Sequence, residues 1–141
     1  MDDAPERLRR LPTWLLSRAH TRARRVLTDA LAAEGVRGYD VRVLAALAEA
    51  GPCSQADLGR LALLDRSDVT AAVEDLERRG AVHRAPHLGD GRRKVVDLTV
   101  SGRDLLARLD EVLREVQERV LEPLDADERD VLIALLSRLT G

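Results

Sequence analysis

The apolar positions of this chain change period twice, and the changes divide it into elements. After Pro12, the residues Leu15, Leu16, Ala19, Ala23, Val26, Leu27, Ala30 and Leu31 recur at helical spacing. Proline suits the first position of a helix, where its missing N–H leaves no bond unmade. The pattern predicts a long, one-sided helix that Gly35 and Gly38 stop. A second helix is predicted from about Tyr39 to Ala50, with Val43, Leu44 and Leu47 inward and Gly51-Pro52 at its end. Ser54 can cap a third helix, with Asp57 three residues on as a weak capping box and Leu58 and Leu61 facing in. Asp65 can cap a fourth, running to about Arg79 and ending at Gly80.

The period then shifts from helical to alternating. Ala81-Val82-His83-Arg84 reads as one short strand and Lys94-Val95-Val96-Asp97-Leu98-Thr99 as a second, with a loop over 86–93 whose Gly89-Asp90-Gly91 centre marks a tight turn. Helical spacing returns after Ser101-Gly102 with Leu105, Leu106, Leu109, Val112, Leu113, Val116 and Val120. Pro123 breaks it, and Asp125 can cap a last helix carrying Val131, Leu132, Leu135, Leu136 and Leu139. The order is α-α-α-α-β-β-α-α. The fold class is mainly α with a small β-hairpin wing, a winged helix-turn-helix flanked by long terminal helices. Those helices carry more apolar surface than so small a centre covers. A second copy of the chain is the expected cover, which makes the protein a homodimer.

Composition sharpens this picture in three ways. With 141 residues, the chain is a single domain. Trp14 and Tyr39 are the only aromatic residues, so the core is built from Leu, Val and Ala. No run reaches the length needed to span a bilayer, the acidic N-terminus lacks the order of a signal peptide, and Cys53 is the sole cysteine; together these point to the cytoplasm and away from a membrane.

Net charge is −2, which alone argues against nucleic acid, but its distribution does not. Residues 1–77 carry −2, residues 78–103 carry +5 and residues 104–141 carry −5. A basic centre between acidic flanks is the footprint of one localised anionic partner.

The candidate chemistry follows the same centre. On the fourth helix Val69, Ala72, Val73 and Leu76 share the core side, leaving Arg66, Ser67, Thr70, Ala71 and Glu74 on the other. Such a helix fits the major groove of duplex DNA. Arg66 can grip guanine with two hydrogen bonds, Ser67 and Thr70 can reach bases or phosphates, and Ala71 permits close approach. Asp68 fits a capping role better than a base contact. In the hairpin, Arg84, Arg92, Arg93 and Lys94 are basic, and arginine is favoured in a narrow minor groove. Asp90 can hold the Arg92 guanidinium in one pose across the turn.

These residues resemble the MarR family of bacterial transcriptional regulators over about residues 11–139. The resemblance lies in Ser54-Gln55-Ala56-Asp57-Leu58-Gly59-Arg60-Leu61, in Asp65 through Arg84, in the D-x-R wing motif Asp90-Gly91-Arg92 and in the L-T-x-x-G motif Leu98-Thr99-Val100-Ser101-Gly102. It implies an obligate dimer, with residues of about 11–34 and 102–139 dimerising and about 39–100 binding DNA at a pseudo-palindrome. It also implies that Arg92 enters the minor groove, that Asp90 supports it, and that Ser54 and Gln55 join the DNA-binding set. A small-molecule effector or oxidant is implied near the junction of the two parts. Two departures stand out: Ala85-Pro86-His87-Leu88 replaces the usual Asp-Pro at the base of the wing, and Ala81 replaces a bulkier apolar residue, so looser packing is expected beneath the wing.

Trp14, His20 and Arg24 are candidate effector ligands on the first helix, Arg24 suiting a carboxylate; Trp14 equally fits a plug in the dimer interface. Cys53 precedes a helix whose N-terminus could lower its pKa, though a lone turn cysteine is usually inert. No cofactor, metal site or enzymatic motif is expected, since His20, His83 and His87 share no helical face and no phosphate loop or nucleophile elbow is present. The alternative function is a winged-helix module that binds a protein and no longer DNA. The acidity of the whole chain favours it, while Arg66, Thr70 and the wing arginines weigh against it.

Overall fold

The computed structural model describes residues 4–87 and 89–141, the side chains of residues 87 and 90–93 excepted. Its elements are α1 (Glu6–Arg9), α2 (Pro12–Ala33), α3 (Gly38–Ala50), β1 (Cys53–Ser54), α4 (Gln55–Ala62), α5 (Arg66–Arg78), β2 (Val82–His87), β3 (Asp90–Leu98), α6 (Val100–Val120) and α7 (Ala126–Leu139). Two compact units divide them: residues 31–112, and residues 1–30 with 113–141.

The first unit owes its core to the predicted inward faces. Val43, Leu44 and Leu47 of α3, Leu58 of α4, and Val69, Ala72, Val73 and Leu76 of α5 are buried together with Val82, Val96 and Leu98 of the hairpin. Leu61 departs from the expectation. It is exposed, and Ala62 takes the inward position at the end of α4.

Local signals set the ends of these helices. Gly35 and Gly80 take positive φ after α2 and α5, a conformation that glycine adopts without penalty. Gly38, expected to help stop α2, instead opens α3. At the start of α3 the Arg37 N–H donates to Asp40 Oδ2 at 2.8 Å, and the Asp40 N–H donates to Arg37 O at 3.0 Å. Asp40 is the one buried charged residue among those described, and burial pushes its carboxyl above the ordinary aspartate pKa of 3.8.

The sheet has three antiparallel strands in the order β1-β3-β2. Cys53 and Ser54 form a strand opposite Val96 and Val95, where a plain turn was expected. The hairpin strands also run further than predicted, through Pro86 and His87 on one side and Asp90 to Arg93 on the other, so that most of the expected 86–93 loop belongs to strands. Leu88, within that expected turn, lies outside the described residues. Pro86 breaks no ladder because β2 is an edge strand, and the register shifts between Pro86 and His87.

The packing expected to be loose beneath the wing is tight. Ala81 is 1% exposed, and a Cβ on Gly102 would stand 2.0 Å from the Ala81 carbonyl oxygen. A small residue at 81 and none at 102 let α6 leave the sheet at close range.

In the second unit, Val116 is the only buried residue among those described. Leu11, Leu15 and Leu16, and on α7 Val131, Ile133, Leu135, Leu136 and Leu139, are exposed. Asp125 caps α7 with a full reciprocal box, its Oδ1 accepting from Glu128 N at 2.9 Å while Glu128 Oε1 accepts from Asp125 N at 3.0 Å.

Candidate nucleic-acid interface

The helix-turn-helix is α4, a three-residue turn and α5. Ser54 starts it, its hydroxyl accepting from Asp57 N at 3.1 Å. The expected capping box is half made, because the Asp57 carboxylate turns to Arg60 instead of back to Ser54. At the turn Leu63 takes the left-handed conformation with φ 54° and is 81% exposed. Arg42, reaching from α3, secures this turn: its Nε donates to Ala62 O at 2.8 Å and its Nη2 to Leu63 O at 2.5 Å.

Asp65 then caps α5. One carboxylate oxygen accepts both from Asp68 N and from the Ser67 hydroxyl, each at 2.9 Å, and these bonds hold its pKa below the ordinary aspartate value. The cap is thus Asp65, and Asp68 contributes its backbone N–H. A fixed helix start matters here, because the first turn of α5 carries Arg66 and Ser67.

Arg66, Ser67, Thr70, Ala71 and Glu74 line one shallow depression of about 530 Å³ on α5, the five side chains that helical spacing placed on its outer face. Arg66 and Ser67 are exposed; Thr70 and Ala71 are half-buried. Ser67 and Thr70 already hold protein partners, Ser67 through Asp65 and Thr70 by donating to Arg66 O at 2.8 Å. Gln55, the first residue of α4, donates from Nε2 to Thr70 Oγ1 at 2.8 Å.

In the wing, Lys94 is exposed on β3 opposite Pro86. Arg84 is half-buried on β2, with Nε 3.4 Å from Glu77 of α5. Asp90, Arg92 and Arg93 belong to β3 by backbone; the roles expected of their side chains lie outside the described part.

The recognition helix is anchored at its far end as well. Arg37 reaches Asp75 Oδ2 at 2.6 Å, and Arg79 donates to Gly35 O at 3.0 Å, so the last turn of α5 is held to the α2–α3 connection. Sequence reasoning missed these links and the Gln55–Thr70 bond. All join residues far apart in the chain, and no periodicity reports such pairings.

Trp14, His20 and Arg24 all lie on α2, and none of the three lines the depression described on that helix. The depression on this helix, about 710 Å³, is lined by Arg18, Ala19, Thr21, Arg22, Arg25 and Val26. Arg22 also donates to Val120 O at 3.1 Å. Trp14 is half-buried, its Nε1 has no hydrogen-bond partner among the described residues, and the Arg18 guanidinium lies 6.0 Å from its ring centre. Cys53 departs from the reactive-thiol possibility: burial, then the nearby Asp57 carboxylate, pushes its pKa up. Raised pKa lowers the thiolate fraction that oxidants attack. Among the described residues no three His, Cys, Asp or Glu side chains could share a metal, and no helix is long and apolar enough to cross a membrane.

A capped recognition helix beside a short three-stranded sheet defines a winged helix-turn-helix protein. The MarR family model matches residues 35–93, which span α3 to the wing. The chain is 29% identical over 139 residues to the HTH-type transcriptional repressor NicR of Pseudomonas putida, covering 99% of this chain and 88% of that protein. A probable transcriptional regulator from Pseudomonas aeruginosa is 33% identical and superposes with a TM-score of 0.83 over 94% of this chain and 98% of the other. The PcaV transcriptional regulator from Streptomyces coelicolor, solved in complex with its natural ligand, is 28% identical, with a TM-score of 0.78 over 99% and 97% of the two chains. The chain belongs to the MarR family of transcriptional regulators.

Proposed function

We propose that this regulator is a cytoplasmic, non-enzymatic repressor that binds a pseudo-palindromic duplex as a homodimer. The observation that carries the reading is the outer face of α5: five small, polar or charged side chains line one open depression while the opposite face is core. A helix so built can enter a major groove with its capped N-terminus toward the base edges. Arg66 is the base reader. Ser67 and Ala71 shape its approach, and Ser54, Gln55 and Thr70 support contact with the backbone. Arg84, Arg92, Arg93 and Lys94 form the basic wing, with Asp90 orienting Arg92. Residues 39–100 are the DNA-binding part, and residues 11–34 and 102–139 the dimerising part. Repression follows the likeness to NicR, and release by a small ligand follows the likeness to PcaV, with Trp14, His20 and Arg24 offered as effector ligands.

Selection from a random duplex library with the purified protein tests this. The expected result is an enriched pseudo-palindrome with half-sites about one helical turn apart, and loss of retention for Arg92→Ala. Binding should also weaken steeply with salt, because phosphate contacts release counterions. An intact dimer that enriches no sequence even at low salt would overturn the reading in favour of a protein-binding module.

A further inference from the structure

Thr70 occupies the outer face of the recognition helix, where its hydroxyl would be expected to address DNA. That hydroxyl is engaged twice within the protein. Its single proton goes to Arg66 O at 2.8 Å, and it accepts from Gln55 Nε2 at 2.8 Å. It has no second proton to give a base or a phosphate. Gln55 is in the opposite position. Its carboxamide carries two N–H groups and an oxygen, and the Thr70 bond uses one N–H. The side chain is half-buried, and its backbone follows directly on the Ser54 cap. This amide is therefore held in one place before any ligand arrives.

We propose that Thr70 is a positioning residue: it holds the Gln55 carboxamide so that the second N–H meets a phosphate oxygen of the DNA backbone. The proposal rests on the DNA-binding reading above. A phosphate is the target because Gln55 begins α4, the first helix of the motif, and that helix crosses the backbone while the second enters the groove. Glutamine is among the side chains that donate to phosphates and thereby set register without reading sequence. The bond to Thr70 ties that backbone contact to α5 itself. The recognition helix is thus coupled to a backbone contact of α4 that is the same whatever the base sequence.

The test is equilibrium binding of the full-length protein to its selected duplex and to a set of single-base-pair variants at several salt concentrations. Thr70→Val removes the hydroxyl at nearly constant shape, Gln55→Ala removes the amide, and Thr70→Ser keeps the hydroxyl. Thr70→Val and Gln55→Ala should each weaken binding of the dimer about a hundredfold, the loss of one hydrogen bond to a charged group in each of the two half-sites. The double variant should be no weaker than either alone, since both remove the same contact. Thr70→Ser should stay within about twofold of wild type, as a retained bond requires. The loss should be alike on every duplex, with the salt slope unchanged because an amide releases no counterion. Wild-type affinity in Thr70→Val, or losses that add, would overturn the proposal. A loss confined to one base pair would overturn it too and make Gln55 a base reader. Thermal unfolding of each variant separates these results from misfolding, and the serine variant reports on the bond even if valine destabilises the helix. A wild-type protein that retains no duplex would instead fell the DNA-binding reading, and this proposal with it.

Discussion

A methyl group at position 102 would decide whether α6 can leave the sheet where it does. Its carbon would lie 2.0 Å from the Ala81 oxygen and 2.9 Å from the Ala81 carbonyl carbon, both backbone atoms that cannot rotate aside. The Ala81 backbone is fixed in turn, donating to Leu76 O at 2.9 Å and accepting from Thr99 N at 3.0 Å. Gly102→Ala should therefore cost about 3 kcal/mol or more, at the upper end of overpacking effects, and lower the melting temperature by roughly 10 °C. Calorimetry or circular dichroism checks this; an unchanged midpoint would mean that the helix start shifts freely. Asp40 makes a prediction of different sign. Burial raises its folded-state pKa, so the folded state binds its proton more tightly than the unfolded chain. Its contribution to stability is then fully present below the ordinary value of 3.8 and declines as pH rises through the folded pKa. Asp40→Asn keeps an oxygen for the Arg37 N–H and removes the titration. Relative to wild type, it should gain stability as pH rises from about 4 toward neutrality. Denaturant melts at both ends of that range test it, and a difference that stays constant with pH would contradict it.

At the scale of elements, what the sequence revealed depended on length and period. Each helix with two or more turns of apolar spacing was predictable from its own residues, as were the Ser54, Asp65 and Asp125 caps. The elements that escaped are the four-residue α1 and the two-residue β1, too short to show a period, and the outer ladder of the wing, where glycine and proline suggest a loop although pairing with the facing strand makes a sheet. The outer face of α5 was legible because it is the complement of a clear core stripe. The Gln55–Thr70 bond was not, because it depends on how α4 packs on α5. Leu63 belongs at this scale too, since it is the hinge of the helix-turn-helix. A leucine held in the left-handed region costs about 1–2 kcal/mol, more than the entropy that glycine loses when ordered. At 81% exposure, Leu63 recovers almost nothing by burial. Leu63→Gly should leave the fold as stable or raise its stability by up to about 1 kcal/mol. A clear drop in denaturant midpoint would show that the leucine side chain has a partner in the assembled protein.

For the whole molecule, the decisive contrast is between the two units. Residues 31–112 enclose nearly all of the buried apolar side chains, while in residues 1–30 and 113–141 leucine, valine and isoleucine lie in the open on α2 and α7. Exposed stripes of that kind are stable in water only when something covers them, and a symmetric second copy is the simplest cover, since each stripe then meets its equivalent. The proposed function needs the same arrangement, because two recognition helices must be set one turn of DNA apart. Leu135→Asp with Leu139→Asp places charge among the exposed apolar side chains of α7 and leaves residues 31–112 untouched. The pair should convert a dimer at micromolar concentration into a monomer in light scattering. DNA affinity should fall with it, because a single winged domain keeps only half of the contacts. If the variant stays dimeric, α7 is not the seam. If it becomes monomeric yet binds the full palindrome as tightly as before, dimerisation and DNA reading are separate properties of this chain, and the spacing of the half-sites is set by the DNA alone.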